Sequence, residues 1–325
     1  MCGLAIALGA VLLDLVLGDP PNRYHPVAWM GRLIGFLDER VGRTGRVRRD
    51  RACGVMVAIL PMLLFFIVYT ASLALVRGFF GLAIWAVLGA VALKSLFAIK
   101  ALQDHVYPVM EALEAGDLEL ARSKVQMVVS RDTSQLDRGH VASCAVETVA
   151  ENSVDSVFSP FLFLGIAGIP GVVLYRVSNT LDAMVGYLST RHKDVGWFSA
   201  KLDDVMNYLG ARVSLPFIML ALAMMGRDWK AAWRTARRDH AKTASPNKGW
   251  PMAAFAGGLG IRMEKAGCYT FGDGPLPEEA RHIREAVVLM KGSSLLFLAL
   301  VALPLFLLVG IHVQILLEDL FIQWL

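Results

Sequence analysis

Glu147, Glu151 and Asp155 recur at i, i+4 and i+8, so a helix carrying them presents three carboxylates on one face. Like charges at that spacing repel, and their sequence neighbours are Val, Ala and Phe rather than basic residues. Such a face gains by binding a cation, and a metal-bound polyphosphate is the leading ligand. Asn152 sits beside the acids, and Asn179, Asp182, Asp203, Asp204 and Asn207 add further hard oxygen groups. Arg131, Lys201, Arg212 and Lys248 lie among them. Magnesium favours one or two carboxylates plus substrate phosphates over an all-protein cage. These residue types fit nucleotide-dependent chemistry, such as activation of a carboxylate for attack by an amine; composition and spacing by themselves reach a membrane-embedded acidic site for metal and phosphate.

Three more blocks carry polar chemistry. Asp14, Gly18-Asp19-Pro20 and His25-Pro26 read either as a capped turn at a membrane surface or as a functional group, because Asp14 lies inside an apolar run where a charge is costly. Ser130-Arg131-Asp132-Thr133 reads as a helix cap with a local ion pair, or as an anion contact through Arg131. Ser245-Pro246-Asn247-Lys248-Gly249 is a loop able to offer backbone amides and a lysine to phosphate. Gly257-Gly258-Leu259-Gly260 fits close helix packing better than phosphate binding. The sequence contains no GxxxxGK[ST] loop, HExxH or GxSxG, and its four cysteines form no CxxC.

The elements that hold these groups must be membrane helices. Of 325 residues 56% are apolar and 18% charged, with net charge +4, against about 45–50% and 25% in soluble domains. No stripe of basic and aromatic residues suits nucleic acid. Gly54–Val76 and Phe79–Ile99 read as a hairpin turning at Arg77-Gly78, and Ser293–Leu317 as a span kinked at Pro304. Val205–Gly226 is a further span, expected to be incomplete or tilted so that the polar motifs share one cytoplasm-facing cavity, and Met1–Leu17 a retained membrane segment rather than a signal peptide. Val154–Tyr175 is interrupted by Ser, Pro and Gly, which predicts a broken or re-entrant helix.

The water-facing parts are a helical segment of about 100–153 and a loop segment of about 227–292. Asp117 is the expected cap for the helix from Leu118, and Thr133 or Ser134 for the helix of the acidic cluster. Arginine-rich Asp38–Arg51 and Arg227–Lys242 belong in the cytoplasm by the positive-inside rule. The expected fold is all-α: a single polytopic integral membrane domain, 1–325, with broken or re-entrant helices and a cytoplasmic helical insertion. No repeat or β-sheet domain is read from the sequence.

The stretches GDPPNRYHPVAWMG, SRDT, ETVAENSVDSVFSP, YRVSNTLDAMVGY, GWFSAKLDD, NYLGAR and SPNKGWPMAAFAGGLG, in this order from about Asp14 to Arg262, closely resemble the CobD/CbiB family of cobalamin biosynthesis. The resemblance implies an integral membrane ligase of the adenosylcobinamide-phosphate synthase type. Such an enzyme joins adenosylcobyric acid to (R)-1-amino-2-propanol or its O-phosphate at the expense of ATP, with Mg2+. It also implies a multi-pass protein of the inner (cytoplasmic) membrane with its active site facing the cytoplasm. A homo-oligomer, or association with other cobalamin-pathway membrane enzymes, is left open. On the matching positions, Glu151, Asp155, Asp182, Asp203 and Asp204 are the expected catalytic carboxylates, as metal ligands or as a base for the incoming ammonium. Glu147, Glu151 and Asp155 are the expected magnesium ligands. Asp19, His25, Arg131, Asp132, Asn152, Asn179, Lys201, Arg212, Asn247 and Lys248 are the expected substrate contacts. The chain departs from the family pattern at Ser159, Ala183, Lys201 and Lys248. A lysine at 201 cannot reproduce a bidentate arginine contact. Two rival classes remain, an AmpE-like membrane sensor and an ion-coupled transporter.

Overall fold

The computed structural model describes residues 1–41, 43–187 and 191–323. In chain order the helices are α1 (Cys2–Leu17), α2 (Pro26–Arg40), α3 (Val47–Lys94), α4 (Lys100–Glu114), α5 (Leu118–Gln126), α6 (Arg138–Ser153), α7 (Ser159–Val185), α8 (Trp197–Met224), α9 (Trp229–Asp239), α10 (Gly249–Leu259), α11 (Arg281–Phe297), α12 (Leu303–Leu305) and α13 (Ile311–Ile322). Strands β1 (Met263–Lys265) and β2 (Tyr269–Phe271) pair antiparallel, with Met263 opposite Phe271. Among the described residues, four helical stretches are long and apolar enough to cross a membrane: Val47–Lys94, Arg138–Val185, Trp197–Met224 and Arg281–Ile322. The protein is an all-α polytopic integral membrane protein.

The chain forms two compact units. The first comprises residues 1–98, 159–206 and 299–325. In it α1 packs on the end of α3, with Ile6 against Gly89 and Gly9 against Ala90. Both long helices of this unit are broken at a glycine. Gly81, at φ 78°, interrupts α3, so the turn falls three residues beyond Gly78 rather than at Arg77-Gly78. The arm Leu82–Lys94 is about 20 Å long, short of the roughly 30 Å of hydrocarbon. Gly168, at φ 65°, breaks α7 inside the stretch where interruption was expected. The Ile169 amide freed there donates to Gln314 Oε1 at 3.1 Å. Gln314 Nε2 donates in turn to Glu318, which also accepts from Trp85 Nε1 and faces Arg77.

The second unit comprises residues 99–158 and 207–298. Its central helix is α6, where Val141, Ala142, Cys144, Ala145, Val146, Val149 and Ala150 are fully buried. Asp137 caps α6, accepting from the His140 amide at 2.8 Å. The expected caps do not serve: the Thr133 hydroxyl is buried and donates to Arg122 O instead. Asp117 caps α5 as expected. A π-helical turn, Val154–Phe158, follows α6. The glycine run of α10 is a packing surface: a Cβ on Gly257 would lie 2.6 Å from Thr235 Cβ on α9, and one on Gly258 2.8 Å from Leu222 Cδ2 on α8.

Candidate functional site

The second unit gathers the acidic helix and its counter-charges. Glu147 is 6% exposed, which rules out a solvated helix face. Its Oε1 accepts from Arg131 Nη2 at 2.6 Å and from the Tyr269 hydroxyl at 2.6 Å. The β-hairpin makes this contact possible: the Glu264 amide donates to Ser143 Oγ on α6 at 3.0 Å, which brings β2 and Tyr269 over Glu147. One turn along, Glu151 pairs with Lys248 at 2.7 Å. The like charges of α6 are thus each met by a cation from a remote segment. Burial disfavours a charged Arg131, but Glu147 outweighs that and holds the guanidinium above its ordinary pKa. Burial first, then the Glu147 charge, push the Tyr269 phenol far up, so it remains a donor.

The remaining expected groups of this unit divide. Arg212 Nη1 donates to Asn247 Oδ1 at 3.0 Å, its Nη2 donates to Pro246 O, and its guanidinium lies 3.4 Å over the Tyr208 ring. The NYLGAR and SPNKG blocks therefore meet. Asn152 donates to Thr148 O within its own helix, and exposed Asp132 accepts from the Ser134 amide. Asp155 is half-buried on the π-helical turn. That turn shifts the regular repeat which would align Asp155 with Glu147 and Glu151, and such turns recur at functional sites. Among the described residues no three His, Cys, Asp or Glu side chains form a metal-holding group. Glu147 Oε2 is buried without a hydrogen-bond partner, a donor atom suited to a cation completed by substrate oxygens.

A cavity of about 220 Å³ opens beside Arg131. Asp132, Leu136, His140, Cys144, Glu264 and Lys265 line it with Arg131. Three of these can carry positive charge. His140 and Lys265 were not expected from the sequence; Lys265 lies on β1, where no β element was expected.

The first unit gathers the other blocks around the end of α3. Lys94, 7% exposed, contacts Asp19 and lies 3.7 Å from Asp14, which is fully buried. His25 Nδ1 accepts from the Val27 amide at 3.2 Å, capping α2 ahead of Pro26. Its Nε2 therefore carries the proton and faces Asp19 at 3.7 Å. Burial raises the Asp19 pKa, but His25 and Lys94 overcome this and hold it at about 2. Two residues beyond Lys94, Leu96 O accepts from Arg176 Nε at 2.8 Å. Arg176 Nη1 donates to Asn179 Oδ1 at 3.2 Å, and Asn179 Nδ2 donates to Asp203 Oδ1 at 3.3 Å. Asp182 is half-buried one turn after Asn179. Lys201 and Asp204 form an i, i+3 pair at 3.3 Å, with the lysine largely exposed.

Lys94 and Arg176 were missed in the sequence, and each had a signal. Lys94 is the one charge between Phe79 and Ile99, and Arg176 follows the apolar run that ends at Tyr175. Charges in such company are functional candidates by default.

The motif positions of both units lie within a single family match. The model of the CobD/Cbib protein family matches residues 7–290. The chain is 37% identical to a probable cobalamin biosynthesis protein CobD of Methanothermobacter thermautotrophicus, over 91% of this chain and 96% of that one. It is 39% identical to cobalamin biosynthesis protein CobD of Dehalococcoides mccartyi, over 90% and 94%. With the CobD protein of Photorhabdus laumondii it shares 38% identity over 94% and 99%. No solved structure matches the chain. On this coverage, the chain belongs to the CobD/Cbib family of cobalamin biosynthesis proteins.

Proposed function

We propose that this chain, a cobalamin biosynthetic enzyme by family, is an ATP-dependent amide ligase. Its substrates are adenosylcobyric acid and (R)-1-amino-2-propanol or its O-phosphate. In the first half-reaction a propionate carboxylate takes the γ-phosphoryl group of ATP, and ADP leaves. In the second the neutral amine attacks the acyl carbon, phosphate leaves, and the surplus amine proton passes to a base.

The observation that supports the phosphate-handling part is the cavity lined by Arg131, His140 and Lys265, with Asp132 and Glu264. A guanidinium fork and an ammonium there suit phosphate oxygens. Magnesium, when bound, neutralises charge on the nucleotide; Glu147 through its open Oε2, and Glu151, are the residues to hold it with the phosphates. The arginine-rich segments 38–51 and 227–242 support a cytoplasm-facing site in the inner membrane, where ATP is available.

The test is purified protein in detergent with adenosylcobyric acid, Mg-ATP and each amine in turn. Mass spectrometry should show the amide product, with ADP formed in equal amount. Turnover without nucleotide, or ADP formation indifferent to the corrinoid, would overturn the ligase reading. Substrate flux across sealed vesicles without ATP use would favour a transporter.

A further inference from the structure

Helix α9 has two faces of different character. Ala232, Thr235, Ala236 and Asp239 are buried, and the close approach of Gly257 presses this side onto α10. The opposite side carries Trp229, Lys230, Trp233, Arg234 and Arg237, all exposed. The two tryptophans are 43% and 40% exposed and stand at i, i+4, so they share one stripe. Lys230 Nζ lies 5.6 Å from the Trp229 ring centroid and Arg237 Cζ 5.8 Å from that of Trp233. Arg227 and Arg238 are occupied elsewhere, by Glu285 and by Asp239 with Asp273. Among the described residues, Arg234 is engaged by an exposed 3.6 Å pair with Asp228.

The place of α9 on the chain says what lies next to this side. Helix α8 is long and apolar enough to cross a membrane, and its last residue, Met224, is 71% exposed. It stops at Gly226, φ 69°, where the Arg227 amide donates back to Leu222 O at 2.8 Å. Asp228 then caps α9. Five residue steps separate Met224 from Trp229, so α9 begins within about 18 Å of the end of the membrane-crossing helix. Tryptophan beside lysine and arginine this close in the chain to the end of such a helix is the composition of a headgroup-level helix.

We propose that the Trp229–Arg237 side of α9 binds the headgroups of anionic lipids in the bilayer that α8 crosses. The indole rings lie among the headgroups, and Lys230, Arg234 and Arg237 face their phosphates. The proposal is independent of the ligase reading.

Full-length protein is reconstituted in nanodiscs containing photoactivatable phosphatidylglycerol or photoactivatable phosphatidylcholine, and adducts are mapped by peptide mass spectrometry. Peptides of α9 should carry several-fold more phosphatidylglycerol than phosphatidylcholine adducts. The excess should shrink with added salt. Substituting Lys230→Gln, Arg234→Gln and Arg237→Gln together should bring the two lipids to near parity on α9, while adducts on α8 stay constant. A second variant, Trp229→Ser with Trp233→Ser, should lower adducts with both headgroups. Equal labelling by the two lipids at low salt in the native protein would overturn the proposal. So would labelled α8 with unlabelled α9.

Discussion

Arg176 donates from Nε to the carbonyl of Leu96 at 2.8 Å, two residues past Lys94, the cation clamped by Asp14 and Asp19. This bond ties the polar block of α7 to the block that follows α1. Both had been read separately along the sequence, and the end of α3 joins them. Replacing Arg176 by glutamine removes the donor to a buried carbonyl and the restraint on Asn179. The expected result is a loss of about 1–3 kcal/mol in stability, with product formation abolished. Arg176→Lys should regain stability more than activity, because lysine lacks the two-pronged geometry. Unfolding curves in detergent beside turnover assays check both.

The pair Lys248–Glu151 separates a structural from a functional role. Its side chains are 33% and 26% exposed, so the ion pair contributes about 0–1 kcal/mol. Lys248→Gln should therefore leave the unfolding midpoint nearly unchanged and raise the KM for ATP at least tenfold. An unchanged KM would remove Lys248 from the phosphate contacts.

Tyr269→Phe deletes one hydrogen bond to Glu147 while Arg131 stays in place. We expect a cost of about 1 kcal/mol and partial activity. Glu147→Gln keeps the tyrosine's acceptor but leaves Arg131 without its counter-charge. It should insert normally and show a raised magnesium requirement, measured as the Mg2+ concentration at half-maximal rate.

Asp19 sets a pH dependence whose sign follows from its depressed pKa. The group is at about 2 in the folded protein against an ordinary 3.8. Its contribution is complete above 3.8 and is lost as pH falls through about 2. In Asp19→Asn, the slope of stability against pH between those limits should flatten. A slope identical to the native protein would show that Lys94 and His25 do not hold the carboxylate.

Gly168→Ala tests the break in α7. The residue sits at φ 65°, and a Cβ there would meet Gln314 Cβ at 2.7 Å and Gly310 O at 2.9 Å. Strain and crowding together should cost well over 1 kcal/mol. The expected readout is poor recovery of monodisperse protein.

Much of the scaffold was readable from composition and periodicity, because membrane helices announce themselves by length. The interrupted 154–175 stretch showed its break through Gly168 and Pro170. The glycine run of α10 showed its packing role through residue size alone. The acidic face of α6 was visible, but its partners were not. Arg131, Lys248 and Tyr269 reach Glu147 and Glu151 from 16, 97 and 122 residues away, and no local pattern encodes that. Lys94 was overlooked because one lysine barely changes the hydropathy of its window. The C-terminal helix looked like plain anchor, since the value of Gln314 and Glu318 depends on a kink more than 140 residues upstream.

That kink has a consequence for how the protein is made. The amide of Ile169 finds its acceptor in Gln314, a residue that the ribosome adds 145 positions later. Until then the interior bend has no lasting occupant for that donor. Maturation of the bend at Gly168 therefore waits until residue 314 has been added, and nascent chains shortened ahead of it should be substrates for membrane quality control.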